Sequence, residues 1–184
     1  EDGPTEWCSI MAIAFGRDAR QLWVLDQGNQ RIHVLEQDEI PFNDHRIINL
    51  DFSEEALEER ERDGYGGSNT FPTGLAVMTN GKSFFVCQSA CSPGSICEYN
   101  IADGKFKKSI GVPFTRYETV LCICLSPDET MLAFAMDQTE RPLTLGDPPN
   151  KTTGIWVIRL DESEALRRIG DAHPQPHHFA FEAS

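Results

Sequence analysis

With 184 residues, 40% of them apolar and 24% charged, the chain has the composition of a globular domain rather than of a disordered segment, and it is long enough to bury a core. Its net charge of −13 disfavours nucleic acid and anionic membrane surfaces, which need Lys and Arg to displace counterions. The longest apolar runs, such as Met11 to Phe15, have strand length and fall far short of the roughly 18 residues that cross a bilayer, so no membrane insertion is expected.

The first element is Ala12-Ile13-Ala14-Phe15, in which a small residue alternates with a large apolar one, twice. Alternation of small with large, rather than of polar with apolar, suits a strand with both faces buried against other sheets at different distances. A turn at Arg17-Asp18-Ala19 leads to an apolar strand, Leu22 to Leu25, and Asp26-Gln27-Gly28-Asn29-Gln30 leads to a third, Arg31 to Leu35. These belong to a first unit over about 8–50. From Glu36 to Asp63 the chain carries eleven acids against three bases, and so holds −8 of its −13. An insertion at 51–67 contains Asp51-x-x-Glu54 as a cap and Glu58/Arg62 at i,i+4, which predicts a short acidic helix ended by Gly64-Tyr65-Gly66-Gly67. Its Glu54, Glu55, Glu58, Glu59 and Glu61 form either a solvated face or a docking site for a basic partner.

The opening pattern then recurs. Gly74-Leu75-Ala76-Val77, Cys122-Ile123-Cys124-Leu125 and His178-Phe179-Ala180-Phe181 place a large apolar residue after a small one in the same way, with His178 in the first small slot. Turns at Asn80-Gly81 and Pro127-Asp128 follow the second and third copies. Second strands come next, at Ser83 to Cys87 and Met131 to Met136, then third strands at Ser95 to Tyr99 and Gly154 to Ile158. The expected fold is all-β: units of four strands at 8–50, 70–112 and 118–161, the last with a Pro-rich loop at 138–153, and the first strand of a fourth at 175–184. Innermost strands at Ile13, Leu75, Ile123 and Phe179 recur at 62, 48 and 56 residues, which is a blade of roughly 40 to 50 residues plus insertions.

The stretch Leu22-Trp23-Val24-Leu25-Asp26-Gln27-Gly28-Asn29-Gln30-Arg31-Ile32-His33-Val34-Leu35 resembles the strand, Gly-Asn loop and Arg-Ile strand of NHL-repeat β-propellers. The second unit keeps Pro72-x-Gly74 and Asp103-Gly104-Lys105-Phe106 but replaces the loop with Ser89-Ala90-Cys91-Ser92-Pro93-Gly94. Leu125-Ser126-Pro127-Asp128-Glu129 in the third is similar to a turn shared with lactonase-type propellers. Phe71 to Ala76 resembles gluconolactonase-like proteins too, but Thr73 stands where that family's metal-binding Asn falls. The resemblance implies a partial propeller. Three blades and a strand do not close a ring, so further blades are expected from beyond Ser184, from another copy or from another chain.

Six cysteines include Cys122-x-Cys124, which sits in the slots filled elsewhere by Ala12, Ala14, Gly74 and Ala76 and reads as a pair of small buried residues. Cys91 and Cys97 either pair as a disulfide around Ser92-Pro93-Gly94 or remain thiols. Asn150-Lys151-Thr152 is a glycosylation triplet at Asn150, and with the cysteines it favours a secreted or lumenal compartment. His173, His177 and His178 fall near the mouth of the axial channel, where they form either a divalent metal site or a polar rim. No other cofactor is expected. The amidating lyase of peptide-hormone maturation, similarly an NHL propeller, holds zinc with channel histidines, whereas here one strand supplies them all.

The sequence is thus read as a non-enzymatic protein-interaction scaffold or assembly subunit, with other propeller blades or a larger assembly as partner. The alternative is a metal-dependent propeller hydrolase or lyase, gluconolactonase-like or amidating-lyase-like, working through the channel-mouth histidines.

Overall fold

The computed structural model describes residues 7–16, 20–36, 43–50, 72–88, 95–111, 118–138, 154–161 and 166–170. The predicted acidic helix, the loop at 138–153 beyond Gln138 and the fourth-unit strand lie outside them. Twelve strands fill the described residues. β1 (Ile10–Phe15), β2 (Gln21–Asp26), β3 (Arg31–Glu36) and β4 (Asn43–Asn49) form one antiparallel sheet in chain order. β5 (Pro72–Val77), β6 (Ser83–Gln88), β7 (Ser95–Asn100) and β8 (Phe106–Gly111) form the second, and β9 (Glu118–Leu125), β10 (Met131–Gln138), β11 (Gly154–Arg159) and β12 (Leu166–Gly170) the third. The fourth strand of the third sheet lies beyond position 161, where the sequence pattern closes that unit. The fold is all-β, a partial β-propeller of three four-stranded blades.

Alternation along the strands decides which side chains meet. In β2, Trp23 and Leu25 point at the second sheet and join Ile32, Val34 and Ile48 from β3 and β4. The second sheet answers with Leu75, Val77, Phe84, Val86, Cys97 and Tyr99. Aromatic rings run through this layer: Trp23 lies 5.4 Å from Phe84, Phe84 stacks on Tyr99 at 5.1 Å, and Tyr99 meets Phe106 edge-on at 5.9 Å. The opposite face of the second sheet presents Ala76, Phe85, Cys87 and Ile96 to Val120, Ile123, Leu132, Phe134, Met136 and Ile158 of the third. The core is therefore two layers, one in each gap between blades.

The inner strands carry the small-large rule into three dimensions. Ala12 and Ala14 pack forward against the first layer, while Leu75 and Val77 reach back into it. Ala76 packs forward into the second layer, and Ile123 and Leu125 reach back. Gly74 is smallest where the approach is closest: a Cβ there would sit 3.1 Å from the Cys122 Cα and 3.2 Å from the Ile123 nitrogen.

Polar ties cross the same gaps. The Gln27 side-chain amide donates to the Pro72 carbonyl at 3.0 Å, and Arg46 donates to the Ala102 carbonyl at 3.0 Å. The Thr73 hydroxyl donates to the Val120 carbonyl, and the Thr79 backbone amide donates to the Glu129 carboxylate. The turn that carries Glu129 is itself built by hydrogen bonds. Ser126 Oγ donates to Asp128 Oδ1 at 2.6 Å and accepts from the Met131 amide at 3.0 Å, and the Thr130 amide donates to Asp128 Oδ1 at 3.1 Å. These bonds hold the exposed Asp128 carboxyl below the usual carboxylate range.

Candidate functional site

Sheet one has no described neighbour on its far side, and that face of its inner strand is uncovered. Ile13 and Phe15 point away from the second sheet and are 63% and 62% exposed; Ile10, Met11 and Trp7 are exposed beside them. These five are the exposed large hydrophobic residues among those described. The pattern of β1 is the same as that of β5. What differs is only that β5 has a sheet on each side, so the exposure belongs to the position of the strand and not to its sequence.

The outer part of the same face is closed by the segment before β1. The Trp7 ring lies on the His33 imidazole, centroids 4.2 Å apart. Beyond it, the Cys8 amide donates to Asp26 Oδ1 at 3.0 Å, the Gly28 amide to the Cys8 carbonyl at 2.7 Å, and the Gln27 amide to the Ser9 carbonyl at 2.9 Å. Only glycine fits at position 28, because a Cβ would come within 2.3 Å of the Cys8 oxygen. This strap buries Asp26. Its Oδ2 also accepts from Asn29 Nδ2 at 2.8 Å and Arg31 Nε at 3.3 Å, and His33 Nε2 lies 3.5 Å away. Burial by itself raises the Asp26 pKa, but the hydrogen bonds from Asn29 and Cys8 and the charge of Arg31 outweigh it and hold the carboxyl below its ordinary value. The Asp-x-Gly-Asn-x-Arg run is thus a structural clasp. Sequence reasoning quoted it without assigning Asp26 this role, and it passed over Trp7.

A second buried acid was missed as well. Glu98, in β7, accepts from Ser83 Oγ at 2.6 Å and from Lys107 Nζ at 2.7 Å, with Lys108 Nζ 3.6 Å from its other oxygen. Burial pushes its pKa up, while the bonds from Lys107 and Ser83 and the two lysine charges bring it below the usual range. Its one cue in the sequence is a Glu set between Ile96-Cys97 and Tyr99 in β7.

Cys97 is buried in the layer between sheets one and two; Cys91 lies outside the described residues. So do His173, His177, His178, Asn150, Glu54, Glu55, Glu58, Glu59 and Glu61. Cys122 and Cys124 occupy the small, forward positions of β9 and are partly exposed. Burial pushes the Cys122 thiol up to about 11, against a small opposing effect of a backbone hydrogen bond at Ala135, and pushes Cys87 well up, so both are protonated at neutral pH. Among the described residues no three His, Cys, Asp or Glu side chains are grouped to hold a metal ion, and no helix is long and apolar enough to cross a membrane. Thr73, in the slot of the gluconolactonase metal ligand, uses its hydroxyl to tie β5 to β9.

No protein-family model and no curated protein matches the chain. Solved structures do. The chain is similar to hydrazine synthase of Kuenenia stuttgartiensis, at 16% identity and a TM-score of 0.56 over 96% of this chain and 41% of that one. It is similar to a 6-phosphogluconolactonase candidate from Bacteroides uniformis, at 15% identity and a TM-score of 0.60 over 95% and 44%. It is also similar to a chain of a nidogen/laminin complex, at 15% identity and a TM-score of 0.55 over 86% and 47%. The chain spans less than half the length of each of these, and at such identity the likeness shows the β-propeller fold.

Proposed function

We propose that the chain is a non-enzymatic protein-interaction scaffold or assembly subunit of the NHL-like propeller kind. The observation that carries this reading is the concentration of exposed large apolar residues, Trp7, Ile10, Met11, Ile13 and Phe15, on β1 and the segment before it, with Ile13 and Phe15 on the face turned away from the second sheet. Contiguous apolar surface of that sort on a folded domain marks a docking face, because leaving it in water forfeits about 25 cal/mol for each Å² that a partner would cover. The enzyme neighbours among the solved structures are matched in fold, and nothing in the described residues favours their chemistry over docking.

Hydroxyl-radical footprinting tests the reading. Met11, Ile13 and Phe15 should be labelled in the isolated chain and protected in the assembly purified from its source. Equal labelling in both states would overturn it. Stoichiometric zinc or calcium in the purified chain, lost on replacement of His177 and His178 by Ala, would overturn it in favour of the metal-dependent hydrolase or lyase.

A further inference from the structure

Both described gaps between blades are assembled by one rule. The forward residues of an inner strand are small, Ala12 and Ala14 in β1 and Gly74 and Ala76 in β5. The backward residues of the next inner strand are large, Leu75 and Val77 in β5 and Ile123 and Leu125 in β9. Small against large lets two twisted sheets approach at the narrow inner end while filling the space between them.

The forward face of the third sheet carries the small half of such a contact, and that face is covered. Strand pairing sets Cys124, Ala133 and Val157 in one row across β9, β10 and β11, and Cys122, Ala135 and Ile155 in the next. Ala133 is 3% exposed and Ala135 fully buried, while the side chains that flank them in the two rows are half-buried. An alanine methyl barely rises above its sheet, and a neighbour as small as cysteine does not close over it, so burial this deep requires atoms standing on the face. The described strands that pack on the third sheet, β5 and β6, lie on its other side. On β1, whose far face no described sheet covers, Ile13 and Phe15 are by contrast mostly exposed.

We infer that the cover is the segment 177–181 of this chain, the inner strand of a fourth unit, with Phe179 and Phe181 seated over Cys122 and Cys124. This segment carries the next copy of the small-large alternation, and Phe179 and Phe181 hold the places of Ile123 and Leu125 in it. The connection has the right length. β8 returns to β9 through the six residues 112–117, and six residues, 171–176, separate the end of β12 from His177. Six extended residues span about 20 Å, against about 14 Å from the outer to the inner strand of a four-stranded sheet. The cover at this end of the stack is therefore built into the chain, and a partner that docks on the three described blades meets them at β1. The same placement sets His177 in the position that Met11, Thr73 and Leu121 hold in the other inner strands. The inference draws on the third sheet alone, so it stands or falls separately from the reading of β1 as a docking face.

Thiol alkylation of the whole chain by N-ethylmaleimide, read by peptide mass spectrometry, tests it. In the wild type Cys122 and Cys124 should react slowly, and the exposed Cys8 fast. Phe179→Asp and Phe181→Asp should each speed alkylation of Cys122 and Cys124 by about tenfold. Cys8 should keep its rate, and Cys87 and Cys97, buried in the two described gaps, should stay protected. Where an aspartate variant fails to fold and releases Cys87 and Cys97 too, Phe179→Ala and Phe181→Ala take its place and should speed Cys122 and Cys124 alone. Rates at Cys122 and Cys124 that stay unchanged in every variant, or that rise only together with those of Cys87 and Cys97, would overturn the inference. So would a rise confined to a chain in which 139–153 is replaced by a Gly-Ser linker, which would assign the cover to the connection between β10 and β11.

Discussion

The Trp7 indole lies against the buried His33 imidazole, ring centroids 4.2 Å apart and planes inclined by 35°. Through this contact a segment outside the first sheet holds closed the polar cluster within it. Trp7→Ala should lower stability by about 1 to 2 kcal/mol, the size of an aromatic pair plus part of a covered face. Trp7→Phe should restore most of it. Urea melts followed by far-ultraviolet circular dichroism distinguish the two; an unchanged midpoint in Trp7→Ala would show that the strap is held by its backbone bonds alone.

Asp26→Ala should be more damaging than Trp7→Ala, because it leaves Arg31 beside an empty site and removes the acceptor for the Cys8 amide. Breaking a buried pair in this way costs about 3 kcal/mol. The carboxyls of Asp26 and Glu98 are both held below ordinary values, so on acidification the unfolded chain takes up their protons first. Their contribution is complete above the unfolded carboxylate pKa values of about 4, and it is lost as pH falls through the depressed folded values. Asp26→Asn should therefore flatten part of the acid limb of stability against pH. An acid limb of unaltered slope would show that Asp26 is not among the groups that produce it.

Ala76→Leu is expected to cost about 1 to 3 kcal/mol, since Ala76 is buried in the gap facing the third sheet and a longer side chain must push the two blades apart. Ala14→Leu, at a partly buried position, should cost less. Thermal melts that rank them in the opposite order would place the tighter gap between the first two blades.

Gly81 and Gly104 both have φ in the left-handed region, +74° and +70°, but their surroundings differ. A Cβ at Gly81 meets nothing within 4 Å, whereas one at Gly104 would lie 2.5 Å from Ile48 Cγ2 in the neighbouring sheet. Gly81→Ala should cost only the backbone strain, about 1 to 2 kcal/mol. Gly104→Ala should cost more, and the excess should shrink in an Ile48→Ala background. Equal costs at the two sites would mean that sheet one yields freely to the turn.

The inner strands were legible because each large-small alternation is local and each copy checks the others. The same logic reads β1 as a strand made to be covered on both faces, because its residues match those of β5; a periodic pattern reports what a strand can bury, and a neighbouring sheet determines whether it does. Asp26 was legible as part of a motif but not as a buried hub, because the group that closes over it, the Cys8 amide, lies 18 residues earlier. Glu98 and Lys107 are nine positions apart on adjacent strands, and only the β7/β8 register, shifted by a bulge beside Glu98, brings them together. Charge patterning along the sequence carries no trace of that register.

Each sheet is a meander of consecutive strands, and every hydrogen-bonded strand pair lies within a single stretch: Ile10–Asn49, Pro72–Gly111 or Glu118–Gly170. Among the described residues no strand ladder is shared between blades, so there the covalent chain and the strand-pairing hydrogen bonds divide the molecule at the same places. Folding can then proceed blade by blade through contacts close in sequence, with docking of preformed sheets as a later event. In evolution the same division lets a whole blade be gained or lost while the strand ladders of those that remain stay intact, leaving only side-chain packing and a few side-chain-to-backbone ties to be made again.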